Sequence, residues 1–99
     1  MQNFKEISAT ELKQRLADKP DTIILDVRQP EEYAERNIEG SILIPLGELP
    51  ARLRELERFK DEEIIVHCKM GGRSAQACQY LNQLGFNATN LAGGITAWK

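Results

Sequence analysis

Short runs of apolar and β-branched residues alternate with helical patterns along the whole chain. The clearest runs, residues 23–27 and 63–67, are compact, which is typical of strands that are covered on both faces. Weaker strand candidates lie at residues 4–7, 41–44 and 89–91. Because strands alternate with helices, the pattern predicts βαβ units, right-handed crossovers and an α/β fold with a mostly parallel sheet.

Four helices are predicted between these strands, from capping residues and from leucines at helical spacing. Their expected extents are residues 8 or 10 to 17, 30 to 36, 49 to 56, and 74 to 84. Pro30 suits the first turn of the second helix, and Gly85 is placed to end the fourth.

Polar and reactive side chains follow the two clearest strands. Asp26 and Arg28 lie at the end of the first run, and His67 and Cys68 lie at the end of the second. In a parallel sheet these ends meet at one edge, where the chemistry of such folds collects. The pattern therefore predicts a functional site around Cys68 at this edge.

Length and composition indicate one domain, residues 1–99, with a hydrophobic core of its own. The 99 residues are too few for two domains, and 41% of them are hydrophobic. Thirteen basic and fifteen acidic residues give a net charge of −2, which excludes the basic excess of a general nucleic-acid binder. Any anion-binding site must therefore be local.

Cysteine usage and hydropathy bear on where the protein works. Cys68 and Cys78 make neither a disulfide framework nor a zinc site of the Cys-x-x-Cys type. No apolar stretch approaches the roughly 20 residues of a membrane span, and MQNFKEISATELKQ lacks the apolar region of a signal peptide. We therefore expect a cytoplasmic protein with no metal, no cofactor and no membrane partner.

A cysteine heads a glycine-rich loop in the segment IIVHCKMGGRSAQA. Gly71 and Gly72 can adopt positive φ, so the loop can curl with its N–H groups pointing inward. Together with the free N–H groups of the helix predicted from Ser74, they would form a cradle of positive potential. Since such a cradle stabilises a thiolate, we expect the pKa of Cys68 to be lowered. The coincidence of thiol, loop and helix N-terminus favours an activated nucleophile over a buried structural cysteine.

These residues resemble the active-site loop of the rhodanese family of sulfurtransferases. IILDVRQPEEYAERNIEGSILIP is similar to the family's first block and LGFNATNLAGGITAW to its closing block, so the resemblance covers nearly the whole chain. HCKMGGRSA followed by LAGGITAW especially resembles the rhodanese domains attached to enzymes that activate ubiquitin-like sulfur carriers. The 99 residues leave no room for such an enzyme in the same chain. Where many members read Gly-His-Ile, this chain has Arg36-Asn37-Ile38, and Asn37 can make similar backbone contacts. The resemblance implies a five-stranded parallel sheet flanked by helices.

The resemblance also implies a reaction in two steps. Cys68 would take a sulfane sulfur from a small anionic donor such as thiosulfate and pass the resulting persulfide sulfur to a thiol, cyanide or a sulfur-carrier protein. The N–H groups of residues 69–73 would surround the outer sulfur, and the side chains of Lys69 and Arg73 would attract the donor. The implied substrate-binding residues are Lys69, Met70, Gly71, Gly72 and Arg73, and the implied supporting residues are Asp26, Arg28 and Ser74.

Two other functions share this kind of loop. Cysteine-dependent phosphatases and arsenate reductases place five residues between Cys and Arg, whereas only residues 69–72 separate Cys68 from Arg73. The smaller cradle suits one sulfur atom better than a tetrahedral oxyanion. A relay module, which carries persulfide between proteins with little turnover of free thiosulfate, would have the same loop.

Two residues near the loop, His67 and Cys78, are expected to have structural rather than catalytic roles. His67 is adjacent to Cys68, but successive strand side chains point to opposite faces, which disfavours a Cys–His dyad. Cys78 shares a helix stripe with Leu81 and Leu84, which favours burial over a resolving role.

Two further neighbours are expected to support the loop. Arg28 is expected to form an ion pair with Glu31 or Glu32 on the following helix. Gly93 and Gly94 are expected to let a backbone turn pass close to the active loop.

Overall fold

The computed structural model describes residues 4–99, which contain a parallel sheet of five strands in the order β1-β5-β4-β2-β3. The strands are Lys5–Ile7 (β1), Ile23–Asp26 (β2), Ile42–Leu43 (β3), Glu63–His67 (β4) and Asn87–Leu91 (β5). The predicted α/β fold is confirmed, and each predicted strand is present with small differences at its ends.

The α-helices of the described residues are Ala9–Asp18 (α1), Pro30–Glu35 (α2) and Gly72–Gln83 (α3). α1 begins with a capping box, because Ser8 Oγ accepts the N–H of Glu11 while the Glu11 carboxylate accepts the N–H of Ser8. Among residues 4–99 there is no helix of the length and apolar character that a bilayer crossing requires.

The segment between β3 and β4 is not the α-helix that its leucine spacing predicts. It forms two 3₁₀ segments, Leu46–Glu48 and Pro50–Phe59. In the second segment Leu53, Leu56 and Phe59 recur at every third position, which matches the three residues per turn of a 3₁₀ helix. These side chains pack against the core, so the predicted apolar face exists although the predicted helix type is wrong.

The two faces of the sheet carry separate hydrophobic cores. Along β4, Ile64 and Val66 lie in the core that includes α3, whereas Ile65 lies in the opposite core with Leu12 of α1. Alternate side chains of a strand point to opposite faces, so both sets are buried here. The sheet is thereby held between layers, and its carboxyl edge is left for the site.

Candidate active site

Cys68 directly follows β4 at the carboxyl edge of the sheet. β2 and β4 are paired in register, with Asp26 opposite His67. Residues 69–71 lead from Cys68 into α3, which begins at Gly72. Only 1% of Cys68 is exposed, so the thiol lies at the base of the loop rather than on its surface.

The loop curls around the sulfur of Cys68. Gly71 has φ +116°, a conformation that L side chains rarely adopt, and its N–H donates to Cys68 Sγ at 3.0 Å. The expectation of positive φ at Gly72 is wrong, because α3 begins at Gly72 instead of the predicted Ser74. One glycine therefore makes the turn, and the other opens the helix whose N-terminus faces the sulfur.

Opposing effects act on the pKa of the Cys68 thiol. Burial alone raises this pKa, because a buried thiolate loses its hydration. Ser74 opposes burial through its hydroxyl, which lies 3.4 Å from Sγ, and through its backbone N–H. The N–H groups of Gly71 and Met70 act in the same direction. Together these hydrogen bonds outweigh burial, and the pKa lies below its usual range, in line with the sequence-based prediction.

Arg73 is paired with Glu32, which the sequence suggested only as a partner for Arg28. Its two terminal nitrogens donate to the two carboxylate oxygens of Glu32 at 2.8 and 2.9 Å. Glu32 also accepts the backbone N–H of Gln29 at the start of α2. The hydrogen bond from Arg73 is the main reason that the pKa of Glu32 is lowered from 4.5 to about 2. The pair therefore ties α2 to the loop and neutralises the charge that was expected to attract the donor.

We expect Glu32→Gln to lower the free energy of unfolding at pH 7 by on the order of 1 kcal/mol, because it breaks a partly exposed, bidentate ion pair. A carboxyl group whose folded pKa is lowered from 4.5 to about 2 stabilises the fold above its usual pKa, and this stabilisation is lost as the pH falls toward 2. Denaturant titrations of wild type and variant should therefore converge at acid pH. Glu31→Gln removes an equal charge from the same turn and is the control. A Glu32→Gln difference that was as large at pH 2 as at pH 7 would contradict the pair.

Asp26 and Arg28 form a buried ion pair. Arg28 donates to the two Asp26 carboxylate oxygens, with the closest contacts at 2.9 Å from Nε and 2.7 Å from Nη2. The expected pairing of Arg28 with Glu31 or Glu32 is wrong, because the Asp26 carboxylate two residues earlier occupies its guanidinium. Arg28 instead donates to the backbone carbonyls of Glu32 and Arg36, at 3.3 and 2.7 Å. The pair thus holds the C-terminal part of α2 against the end of β2.

His67 is fully buried beside this pair. Its Nε2 lies 3.7 Å from Asp26 Oδ2, and its Nδ1 lies 3.4 Å from the carbonyl oxygen of Cys68. Burial lowers the pKa of His67, against the opposite effect of the nearby Asp26 carboxylate. The ring contacts the backbone of Cys68 rather than its sulfur, an arrangement that favours a structural role over a dyad.

Cys78 and Asn37 have the surroundings expected from the sequence. Cys78 is fully buried, and burial raises the pKa of its thiol to about 12. Leu84, the last member of its predicted stripe, is 40% exposed because α3 ends one residue before it. Asn37 donates to the carbonyl oxygen of Tyr33 at 3.0 Å, which is the kind of backbone contact expected at this departure from the family pattern.

The C-terminal turn is hydrogen-bonded to the active loop. The N–H of Ile95 donates to the carbonyl oxygen of Cys68 at 2.9 Å, and Thr96 donates to that of Lys69 from its N–H and its hydroxyl. A Cβ on Gly94 would lie 2.5 Å from Lys69 O and 2.6 Å from Cys68 O. The predicted close passage of a glycine turn is confirmed at Gly94.

Comparisons with known proteins agree with this architecture. Residues 8–99 match the family described as Rhodanese-like domain. The crystal structure of a rhodanese-like domain protein from Staphylococcus aureus is 36% identical and superposes with a TM-score of 0.91, covering 97% of this chain and 92% of that one.

Several curated relatives are named for sulfur transfer. A sulfurtransferase of Allochromatium vinosum is 42% identical over 94% of this chain and 86% of its own length. The thiosulfate sulfurtransferase GlpE of Pseudoalteromonas translucida is 35% identical over 97% of this chain and 90% of its own length. The adenylyltransferase and sulfurtransferase MOCS3 of Arabidopsis thaliana is 34% identical over 93% of this chain, which spans 23% of that protein. The chain therefore belongs to the rhodanese-like domain family, and its sulfurtransferase relatives support a sulfurtransferase activity.

Proposed function

We propose that this chain transfers a sulfane sulfur through a persulfide on Cys68. The donor is thiosulfate or a similar small anion, and the acceptor is a small thiol, cyanide or a sulfur-carrier protein. The observation that carries the proposal is the buried Cys68 sulfur, held by the N–H donors of residues 70, 71 and 74 at the start of α3. These donors stabilise a thiolate nucleophile without a separate base.

The proposed reaction has two displacement steps. The Cys68 thiolate attacks the outer sulfur of thiosulfate, a new S–S bond forms, the donor's S–S bond breaks, and sulfite leaves with the electron pair. A nucleophilic acceptor then attacks the outer persulfide sulfur, which breaks the new S–S bond and regenerates the thiolate. The N–H donors favour both steps, because each passes through negative charge on sulfur.

Lys69 is the proposed donor-attracting residue in place of Arg73. A cleft of about 290 Å³ beside the loop is lined partly by Lys69. Within residues 4–99 the Lys69 ammonium group has no ion-pair partner, whereas the guanidinium of Arg73 is held by Glu32. An unpaired cation on the loop that follows Cys68 raises the local concentration of an anionic donor.

The second candidate function is a persulfide relay between proteins. Met70, at the tip of the loop, is 71% exposed. An exposed, flexible methionine side chain suits contact with a partner surface. The resemblance of this loop to rhodanese domains attached to enzymes that activate ubiquitin-like sulfur carriers favours a protein acceptor. Both functions use the same persulfide and differ only in the partner that exchanges it.

Intact-mass spectrometry with steady-state kinetics tests the proposal. We expect wild-type protein treated with thiosulfate to gain the mass of one sulfur atom, and cyanide to remove that mass as thiocyanate. We expect no turnover of aryl phosphates, because the short loop suits a single sulfur atom. Loading with slow thiosulfate turnover would favour the relay, whereas a protein that gains no sulfur from thiosulfate or mercaptopyruvate would overturn the proposal.

A further inference from the structure

The Ser74 hydroxyl has three acceptors within reach of its single hydrogen. Its Oγ lies 2.5 Å from Asn90 Oδ1, 3.2 Å from the carbonyl oxygen of Gly71 and 3.4 Å from Cys68 Sγ. A hydroxyl group donates one hydrogen, so these acceptors compete for it. The nearest acceptor is the Asn90 amide, not the sulfur.

The contacts of Asn90 fix the orientation of its amide. Its Nδ2 lies 3.3 Å from a carboxylate oxygen of Glu6 and 3.5 Å from the carbonyl oxygen of Gly71. Both of these groups only accept hydrogen bonds, so the amide nitrogen must face them and Oδ1 must face Ser74. Asn90 is 2% exposed, on β5 between β1 and β4. A buried amide with these partners is an acceptor held in place for the Ser74 hydroxyl.

We propose that Asn90 is a positioning residue that controls the Ser74 hydroxyl by offering it a second acceptor beside the Cys68 sulfur. When Cys68 is a thiol, its S–H donates to Ser74 Oγ, and the Ser74 hydrogen lies on Asn90. When the thiol proton leaves to solvent, the Ser74 hydroxyl turns and donates to the thiolate. The role in sulfur transfer rests on the proposed function, since it takes Cys68 as the nucleophile.

This exchange of hydrogen bonds fixes the direction of Asn90's effect. Forming the bond from Ser74 to the thiolate requires breaking the bond from Ser74 to Asn90, so Asn90 opposes the thiolate. Without the Asn90 amide, only the more distant carbonyl of Gly71 would compete with the sulfur. Loss of Asn90 should therefore increase the thiolate fraction of Cys68. A residue that merely supported the loop would have the opposite effect when removed.

Other groups near the site act on Cys68 by charge or through its backbone, and not through the Ser74 hydrogen. They are Arg73 and Cys78 from α3, Glu6 from β1 through Asn90, and His67 from β4 through the Cys68 carbonyl. Arg73, Cys78 and His67 keep their contacts when only Asn90 is replaced. Glu6 loses the same hydrogen bond whether or not Ser74 is present, so comparing the two backgrounds isolates the effect of Asn90 on the Ser74 hydrogen.

The test is a pH titration of the Cys68 thiolate, followed by its ultraviolet absorbance in a Cys78→Ser background. Asn90→Leu keeps the shape of the side chain without its acceptor, and Asn90→Ala removes the acceptor without added bulk. At a pH below the midpoint of the Cys68 titration, we expect either change to raise the thiolate fraction about twofold to tenfold. This is the fold-change that corresponds to the net free energy of one hydrogen bond. In a Ser74→Ala background the same changes at Asn90 should have no effect.

A midpoint that stayed constant or rose in the Asn90 variants would overturn the proposal, as would an equal shift with and without Ser74. If both variants fail to fold, wild-type NMR decides: the Asn90 side-chain amide signals should titrate with the thiolate, and signals indifferent to that titration would overturn the proposal. The readout is the thiolate and not sulfur transfer. Failure here is therefore distinguishable from failure of persulfide loading in the wild type.

Discussion

Replacing Cys68 with Ser should abolish sulfur transfer while leaving the fold intact. A serine hydroxyl in the same cradle is not ionised near neutral pH, and its oxygen cannot form a persulfide. We expect the rate of thiosulfate-dependent thiocyanate formation to fall by at least about a thousandfold, as when other enzymes lose their nucleophile. Circular dichroism and thermal unfolding would check that the variant folds.

Cys78→Ser is the matched control for this prediction. Cys78 is the other free cysteine, and burial raises the pKa of its thiol to about 12, so it supplies no thiolate near neutral pH. The variant should keep most of its sulfur-transfer activity, although burying a hydroxyl there can cost about 1–3 kcal/mol of stability. Equal loss of activity in the two variants, at retained folding, would contradict the separate roles.

Gly94→Ala should damage both stability and activity. The new Cβ would lie 2.5 Å from the carbonyl oxygen of Lys69, and the residue would have to keep φ +58°. A left-handed non-glycine residue and an overpacked contact together cost about 2–5 kcal/mol. Because the displaced backbone belongs to the active loop, we expect kcat/KM for thiosulfate to fall about a hundredfold.

Gly47→Ala is the control for the effect of an added methyl group. A Cβ at Gly47 would meet nothing within 4 Å, and its φ lies outside the left-handed region. We expect the free energy of unfolding to change by less than about 0.5 kcal/mol, with unaltered kinetics. If the Gly94→Ala variant kept the wild-type kcat/KM for thiosulfate, the close approach of Gly94 to Lys69 would not determine the loop conformation.

The sheet and the location of the thiol could be predicted because they depend on local pattern and on one topological rule. Compact apolar runs at residues 23–27 and 63–67 predicted β2 and β4, two neighbouring inner strands, and parallel pairing brings their carboxyl ends together. Cys68, Gly71 and Gly72 lie within five consecutive residues. The conformation of the loop therefore depends mainly on a few consecutive residues, which a short sequence segment can specify.

The polar contacts around the loop could not be predicted, because they join residues distant in sequence with many equivalent candidates. Glu31, Glu32 and Glu35 all lie on α2, and only the packed structure selects Glu32 as the partner of Arg73. Asn90 carried a weak signal, since it is a polar residue in a buried strand. Its partner Ser74 lies on another element, so the sequence alone does not connect the two residues.

The depth of Cys68 has a consequence for regiochemistry. A persulfide would place its outer sulfur about 2 Å beyond Sγ, while Sγ itself belongs to a residue that is 1% exposed. An acceptor thiol that attacks the outer sulfur carries it away, whereas attack on the inner sulfur releases hydrosulfide and leaves a dead-end mixed disulfide. In the proposed reaction, burial of the inner sulfur would thus direct acceptors to the productive atom. It would also shield the unloaded thiol from the adducts that small disulfides form with exposed cysteines.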